Sequence, residues 1–163
     1  MIVYGKNLNK KERKEFQKIY KKMYDLIDFS VNDLKSAMEE DIDNAFEILL
    51  YKIDKKIVGC IYVHEYDYYA DTYFKNGCYF LSNLYVDEKY RKLGIASKML
   101  LEVEKIARQN KVDTIISDYI DDNIKSSAWH NKNGFNILKR QIVVIKKISD
   151  TWLRIAYFLC FFK

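Results

Sequence analysis

Proline is absent from this sequence, glycine occurs five times, and histidine and tryptophan occur twice each. No proline- or serine-rich stretch and no internal repeat divides the chain, so no linker and no domain boundary is marked. Cysteine is equally sparse. Cys60, Cys78 and Cys160 are odd in number, and no two have metal-ligand spacing. That argues against a disulfide framework or a metal site. Cys60 and Cys78 fall in strand-like apolar runs and read as reduced core thiols of a cytoplasmic protein. Long hydrophobic runs are also missing. Residues 1–14 have no apolar core, so they do not read as a signal peptide. The tail 152–162 is apolar, but Arg154 interrupts it and it is far shorter than the ~20 residues of a transmembrane helix. It reads as a packed terminal element or a homodimer contact, with a membrane-surface segment as the other alternative.

One-signed charge is missing too. The net charge is +5, but acidic residues interrupt the basic ones throughout. The densest basic run, 10–22, contains Glu12 and Glu15 and reads as a solvated helix face. There is no aromatic-basic platform of the RNA-binding kind, so a nucleic-acid partner is not expected.

What is present is ordinary for a globular chain of 163 residues, 49% hydrophobic and 31% charged, with an excess of tyrosine (14). That length supports a single domain, 1–163, with its own core. Helical spacing over 7–25 places Leu8, Phe16, Ile19, Tyr20 and Met23 on one stripe. A shorter helix follows over 31–40, capped by Ser30 or Asn32. The patterns then predict a strand 46–51, a turn 54–56, a return strand 57–66 and a polar, Tyr-rich loop 67–77. They continue with a strand 78–86, an amphipathic helix 96–110, a strand 114–119, a short helix 125–132 and a long final strand 135–148. A further strand at 1–4 fits. The order is that of a mixed α/β sandwich around one sheet.

The stretch between the strand 78–86 and the helix 96–110 is the most specific part of the sequence. Leu84-Tyr85-Val86 ends the strand, and Arg91-Lys92-Leu93-Gly94-Ile95-Ala96-Ser97 leads at once into the helix. A strand, a Gly-containing loop and a helix start form an anion site. The first-turn N–H groups have no internal partners, and the helix dipole adds positive character. Gly94 permits positive φ and close approach of a phosphate. Ala96 is small where a large side chain would obstruct. Lys89, Arg91 and Lys92 add charge. The string has neither the Lys-Ser/Thr ending of a nucleotide P-loop nor the G-x-G-x-x-G of a dinucleotide fold.

At these residues the chain resembles the GNAT superfamily of acetyl-CoA-dependent N-acetyltransferases. In that family a loop of pattern Q/R-x-x-G-x-G/A holds the cosubstrate's pyrophosphate through backbone amides, and the strand before it pairs with the pantetheine arm. The resemblance continues at Asn123, His130, Gly134 and Phe135, which match the family's Asn, the residue seven positions on, and its Gly-Phe. It implies a GNAT fold of α/β (α+β) class. The expected sheet is central, mixed and mostly antiparallel, with six to seven strands flanked by four helices. It implies acetyl-CoA as cosubstrate, bound by Leu84, Tyr85, Val86, the loop 91–97, Asn123 and His130. It also implies transfer to a primary amine of a small molecule or peptide.

The seventh position after Asn123 is Tyr in many members and His130 here. Imidazolium can protonate a departing CoA thiolate near neutrality, and Tyr119, Tyr79 and Tyr85 are alternative donors. The strand ending at Val86 offers Ser82 and Asn83 where a carboxylate base would help, so Glu65, Asp67 and Asp118 are the candidate bases. A backbone N–H near Tyr85 or Val86 is the expected oxyanion donor. The acidic residues Glu39, Glu40, Asp41 and Asp43, and Asp121 and Asp122, are either amine-receiving groups or solvated charges. The Asn-to-Gly-Phe segment is similar to that of aminoglycoside 6′-N-acetyltransferases. The absent strand carboxylate and His130 also fit a catalytically silent CoA-binding module with a sensing or assembly role.

Overall fold

The computed structural model describes residues 1–24, 30–65, 77–119 and 122–137. By its internal contacts the chain divides into two units, Met1–Ser127 and Ala128–Lys163. The first contains the sheet, and among the described residues that sheet has five strands in the order β1-β2-β3-β4-β5. These are β1 (Ile2–Tyr4), β2 (Glu47–Ile53), β3 (Lys56–Glu65), β4 (Cys78–Val86) and β5 (Thr114–Ser117). The first four are antiparallel neighbours, and β4 and β5 are parallel. This is the mixed, mostly antiparallel sheet expected, with five described strands against the six to seven anticipated. The expected strand 135–148 lies outside the described residues from 138 on, and 135–137 are not in strand conformation.

Each helix follows from local chemistry. α1 (Lys10–Met23) begins in a reciprocal cap: Asn9 Oδ1 accepts from the Lys11 and Glu12 N–H groups, and Glu12 Oε2 accepts from the Asn9 N–H. Its Phe16, Ile19 and Tyr20 are buried. α2 (Val31–Asn44) is capped by Ser30 and buries Leu34, Met38 and Ile42. It runs four residues past the expected end at Glu40, because Ile42 continues the stripe at i+4 steps. The acidic residues 39–43 are therefore helical. α3 (Ile95–Gln109) buries Ile95, Met99, Leu100, Val103 and Ala107. α4 (Ile124–Lys132) is the fourth helix.

β2 and β3 are joined at Asp54 and Lys55, both at positive φ (48° and 67°), the geometry of a tight hairpin turn. Alternation along β3 sorts its two faces. Cys60 and Tyr62 share a buried cluster with Phe16, Tyr20, Leu34, Met38 and Ile42 of α1 and α2. On the other face, a Cβ at Gly59 would lie 3.4 Å from Met99 Cε of α3. The Tyr-rich loop 67–77 lies outside the described residues except for Gly77. Among the described residues no helix is long and apolar enough to cross a membrane.

Candidate active site

β4 changes character at its midpoint. Its pairing with β5 runs from Cys78↔Thr114 to Leu81↔Ser117 and stops. β4 continues for five more residues, paired only with β3, so among the described residues one edge from Ser82 to Val86 has no strand partner. A bulge sits at the same point. Cys60 pairs with Tyr85 and Tyr62 with Ser82, so β4 spends one residue more than β3 between these pairs. Asn83 takes φ 51°, a conformation that asparagine tolerates better than most residues. An open backbone edge beside a bulge can pair with an extended amide-bearing ligand and aim an N–H at a carbonyl.

At the end of β4 the loop 87–94 is held from both sides. Asp87 is buried, accepts from the Lys89 N–H at 3.2 Å and pairs with Lys22 of α1 at 2.6 Å. That contact keeps the Asp87 carboxyl below its ordinary value. Arg91 does not reach into open space. Its Nε donates to the Val86 carbonyl at 2.9 Å, its guanidinium pairs with Glu88 at 3.1 Å, and it lies 6.0 Å from the centre of the Tyr85 ring. Arg91 therefore braces the end of the strand, a role the motif alone does not reveal.

The helix start fits a polyphosphate. Lys92 and Gly94 take φ 65° and 73°, and among the described residues a Cβ on Gly94 would meet nothing within 4 Å. Gly94 is the N-cap of α3 but supplies no side-chain cap, and the first turn has no acidic residue. The Gly94 carbonyl accepts from the Lys98 N–H, as a helix start requires. The N–H groups before it are left for an anion, with the dipole behind them. Leu93, Ala96 and Ser97 line this turn, and Leu93 is exposed.

The remaining expected residues are placed as follows. Asn123 is exposed, and its Oδ1 accepts from the Ser126 N–H at 3.1 Å, so it caps α4. Asp118 is exposed and follows directly on Ser117, where β4 and β5 part. Glu65 is exposed opposite Tyr79, three residues before Ser82 and so about 10 Å from it along the strand. In the second unit, His130 is buried edge-on to Trp129 and Phe135, at 4.9 and 5.0 Å between ring centres. The Phe135 N–H donates to the His130 carbonyl at 3.1 Å.

Two features escaped the sequence reading. His64 Nε2 lies 2.9 Å from Ser82 Oγ beside the bulge. The signal available was that His64, one of two histidines, alternates with Cys60 and Tyr62 on a strand. The second is a chain of hydrogen bonds from α2 to β4. Asp41 accepts from the Tyr20 and Tyr24 hydroxyls at 2.9 and 3.4 Å, and Asn83 Nδ2 donates to the Tyr24 hydroxyl at 2.6 Å. Burial raises the Asp41 carboxyl despite the two phenols. The Tyr62 hydroxyl is buried nearby with no hydrogen-bond partner among the described residues. Glu39, by contrast, is taken up by an ion pair with Arg13.

An open, bulged strand running into an uncapped helix start can accept an extended, phosphate-bearing ligand. Residues 13–135 match the model of the acetyltransferase (GNAT) family, and the chain belongs to that family. It is an acyl-CoA-dependent N-acyltransferase with acetyl-CoA as its cosubstrate. By sequence the chain matches no curated protein. Its fold is similar to that of the aminoglycoside acetyltransferase AAC(6′)-Iy in complex with a CoA-linked bisubstrate analogue. The TM-score is 0.70 at 17% identity, over 91% of this chain and 99% of that one. It is also similar to apo aminoglycoside 6′-N-acetyltransferase AAC(6′)-IG of Acinetobacter haemolyticus (TM-score 0.69, 22% identity, 91% and 99% covered). A third similar structure is a ribosomal-protein-alanine N-acetyltransferase from Brucella melitensis biovar Abortus 2308 (TM-score 0.70, 14% identity, 90% and 99% covered). At these identities the likeness is one of fold.

Proposed function

We propose that the protein transfers the acetyl group to a primary amine of a small molecule or peptide by direct attack, with an aminoglycoside-type polyamine the first acceptor to test. The observation that carries this reading is the junction of the open β4 edge with the uncapped start of α3 at Gly94. In this reading the backbone of Leu84, Tyr85 and Val86 pairs with the pantetheine arm. A backbone N–H near Tyr85 or Val86 faces the thioester carbonyl as negative charge develops on it. The N–H groups of Leu93, Gly94, Ile95, Ala96 and Ser97, with Lys92 beside them, hold the pyrophosphate. Arg91 keeps the end of the strand in place. Asn123 holds the start of α4.

Asp118, at the point where the strands part, is proposed to receive the incoming ammonium. Glu65 lies farther along β3, and we assign it no step. His130 is the proposed proton donor to the departing thiolate. The similar fold of two aminoglycoside enzymes supports the choice of first acceptor.

The test is thiol release from acetyl-CoA with neamine, sisomicin, spermidine, free amino acids and an alanine-terminated peptide. Turnover on one class, lost in Gly94→Trp, is the expected result. Binding of acetyl-CoA with no turnover on any of them would contradict the acceptor reading and favour a silent CoA-binding module.

A further inference from the structure

We propose that Ser82 and His64 form a proton relay that takes the proton shed by the attacking amine. This rests on the amine-acceptor reading above. Three observations carry it. First, His64 Nε2 and Ser82 Oγ are 2.9 Å apart, within hydrogen-bond distance. Second, Ser82 opens the stretch of β4 that β5 leaves unpaired. It is the residue just before the bulge at Asn83 and the first of β4 beyond the last β5 pair, Leu81↔Ser117. His64 is one strand farther from the open edge, on β3, where its register partner is Phe80 and that of Ser82 is Tyr62. Third, the pair is set in a largely apolar surround. Ser82 is 6% exposed, and the imidazole lies 6.5 Å from the Tyr62 ring and 6.3 Å from the Phe80 ring, centre to centre.

Burial alone pulls the His64 imidazole below its ordinary value, so it is neutral and able to accept near neutral pH. The titratable groups on its own face of β3 are the Tyr62 phenol and the Cys60 thiol. Glu65, the next residue, points to the opposite face by strand alternation. The strand carries no carboxylate at the bulge, and a hydroxyl backed by a neutral imidazole supplies the missing acceptor.

The step balances as follows. The acceptor arrives as ammonium and gives up one proton to water beside Asp118; the freed amine nitrogen then bonds to the acetyl carbon, and the carbon–sulfur bond breaks with its electron pair leaving on sulfur. The amine's proton passes to Ser82 Oγ while the Ser82 hydroxyl proton passes to His64 Nε2. The imidazolium then yields its proton to water, and the thiolate gains one. The relay requires the neutral His64 ring to carry its hydrogen on Nδ1, with the Ser82 hydroxyl donating to a bare Nε2.

Nitrogen NMR of the imidazoles in the free protein tests that requirement directly, and two histidines make the assignment simple. At neutral pH the His64 Nε2 is expected to resonate as unprotonated, and Ser82→Ala is expected to shift it toward the protonated form. In the thiol-release assay, Ser82→Ala and His64→Gln are each expected to lower kcat about 100-fold. The affinity for acetyl-CoA should stay within about twofold, because neither side chain faces the cosubstrate in this reading. A hydrogen on Nε2 in the wild type, or wild-type kcat in a folded variant, would overturn the relay alone. Absence of wild-type turnover with every amine tested would overturn the acceptor reading and the relay with it.

Discussion

Asn83 Nδ2 donates to the Tyr24 hydroxyl at 2.6 Å, tying the bulge of β4 to the last turn of α1. Tyr24 in turn donates to Asp41 on α2, so one chain of polar contacts joins both N-terminal helices to the strand that lines the site. Tyr24→Phe removes the acceptor and leaves the Asn83 amide short of a partner. A loss of about 1–3 kcal/mol in unfolding free energy is expected. The bulge should also loosen, so the KM for acetyl-CoA is expected to rise. Denaturant melts together with initial rates at varied acetyl-CoA check both effects.

Gly59 faces a different constraint. A Cβ there would lie 2.9 Å from the Tyr85 carbonyl oxygen, a backbone atom of the site strand. Gly59→Ala is expected to push β4 away from β3 and destabilise the fold by about 1–3 kcal/mol, as overpacking does. Weaker acetyl-CoA binding should accompany it, because the displaced segment is the one proposed to pair with the pantetheine arm. A melt and a calorimetric titration of the same variant provide the comparison.

The Lys22–Asp87 contact sets a pH dependence. The folded Asp87 carboxyl is lowered, first by its hydrogen bond from Lys22, with burial opposing. A lowered carboxyl contributes stability that is complete above its unfolded value, about 3.9, and is lost as pH falls through the folded value. The Lys22 amine is raised by the same hydrogen bond, so its share persists until pH climbs through the lysine range. Asp87→Asn is therefore expected to melt below the wild type at pH 6–8 and to converge with it under strong acid. Melting curves across pH that stay parallel would contradict this assignment.

His130→Phe separates proton donation from packing. The ring stays aromatic between Trp129 and Phe135, so these two ring contacts are kept. If His130 protonates the thiolate, kcat falls about 100-fold or more. An unchanged kcat would reduce His130 to a packing residue.

Much of this was legible in the sequence because periodic burial and cap chemistry act locally. The stripe Phe16–Ile19–Tyr20–Met23 and the continuous apolar run 57–63 predict α1 and β3. The loop 91–97 announces itself through Gly94, whose positive φ the structure shows. Side-chain directions were less legible. Arg91 reads as a phosphate ligand in a string but folds back onto Val86 and Glu88. Asp41 reads as a loop charge because Glu39-Glu40-Asp41 looks like a helix end, yet Ile42 carries α2 onward and turns Asp41 toward two phenols. The His64–Ser82 pair depends on β3–β4 register across 18 residues, which no local pattern encodes.

The central claim is that the cosubstrate lies along the open edge of β4 with its phosphates at the start of α3. Calorimetric titration of acetyl-CoA into the wild type and Gly94→Trp tests it most directly. Backbone donors to a charged group contribute about 1.5–3 kcal/mol each. Blocking even two of them is expected to weaken binding by about 100-fold or more. The variant should remain folded, since a Cβ at Gly94 meets no atom of the described residues within 4 Å, although φ 73° strains it. Equal affinity in the two proteins would place acetyl-CoA elsewhere and contradict the account.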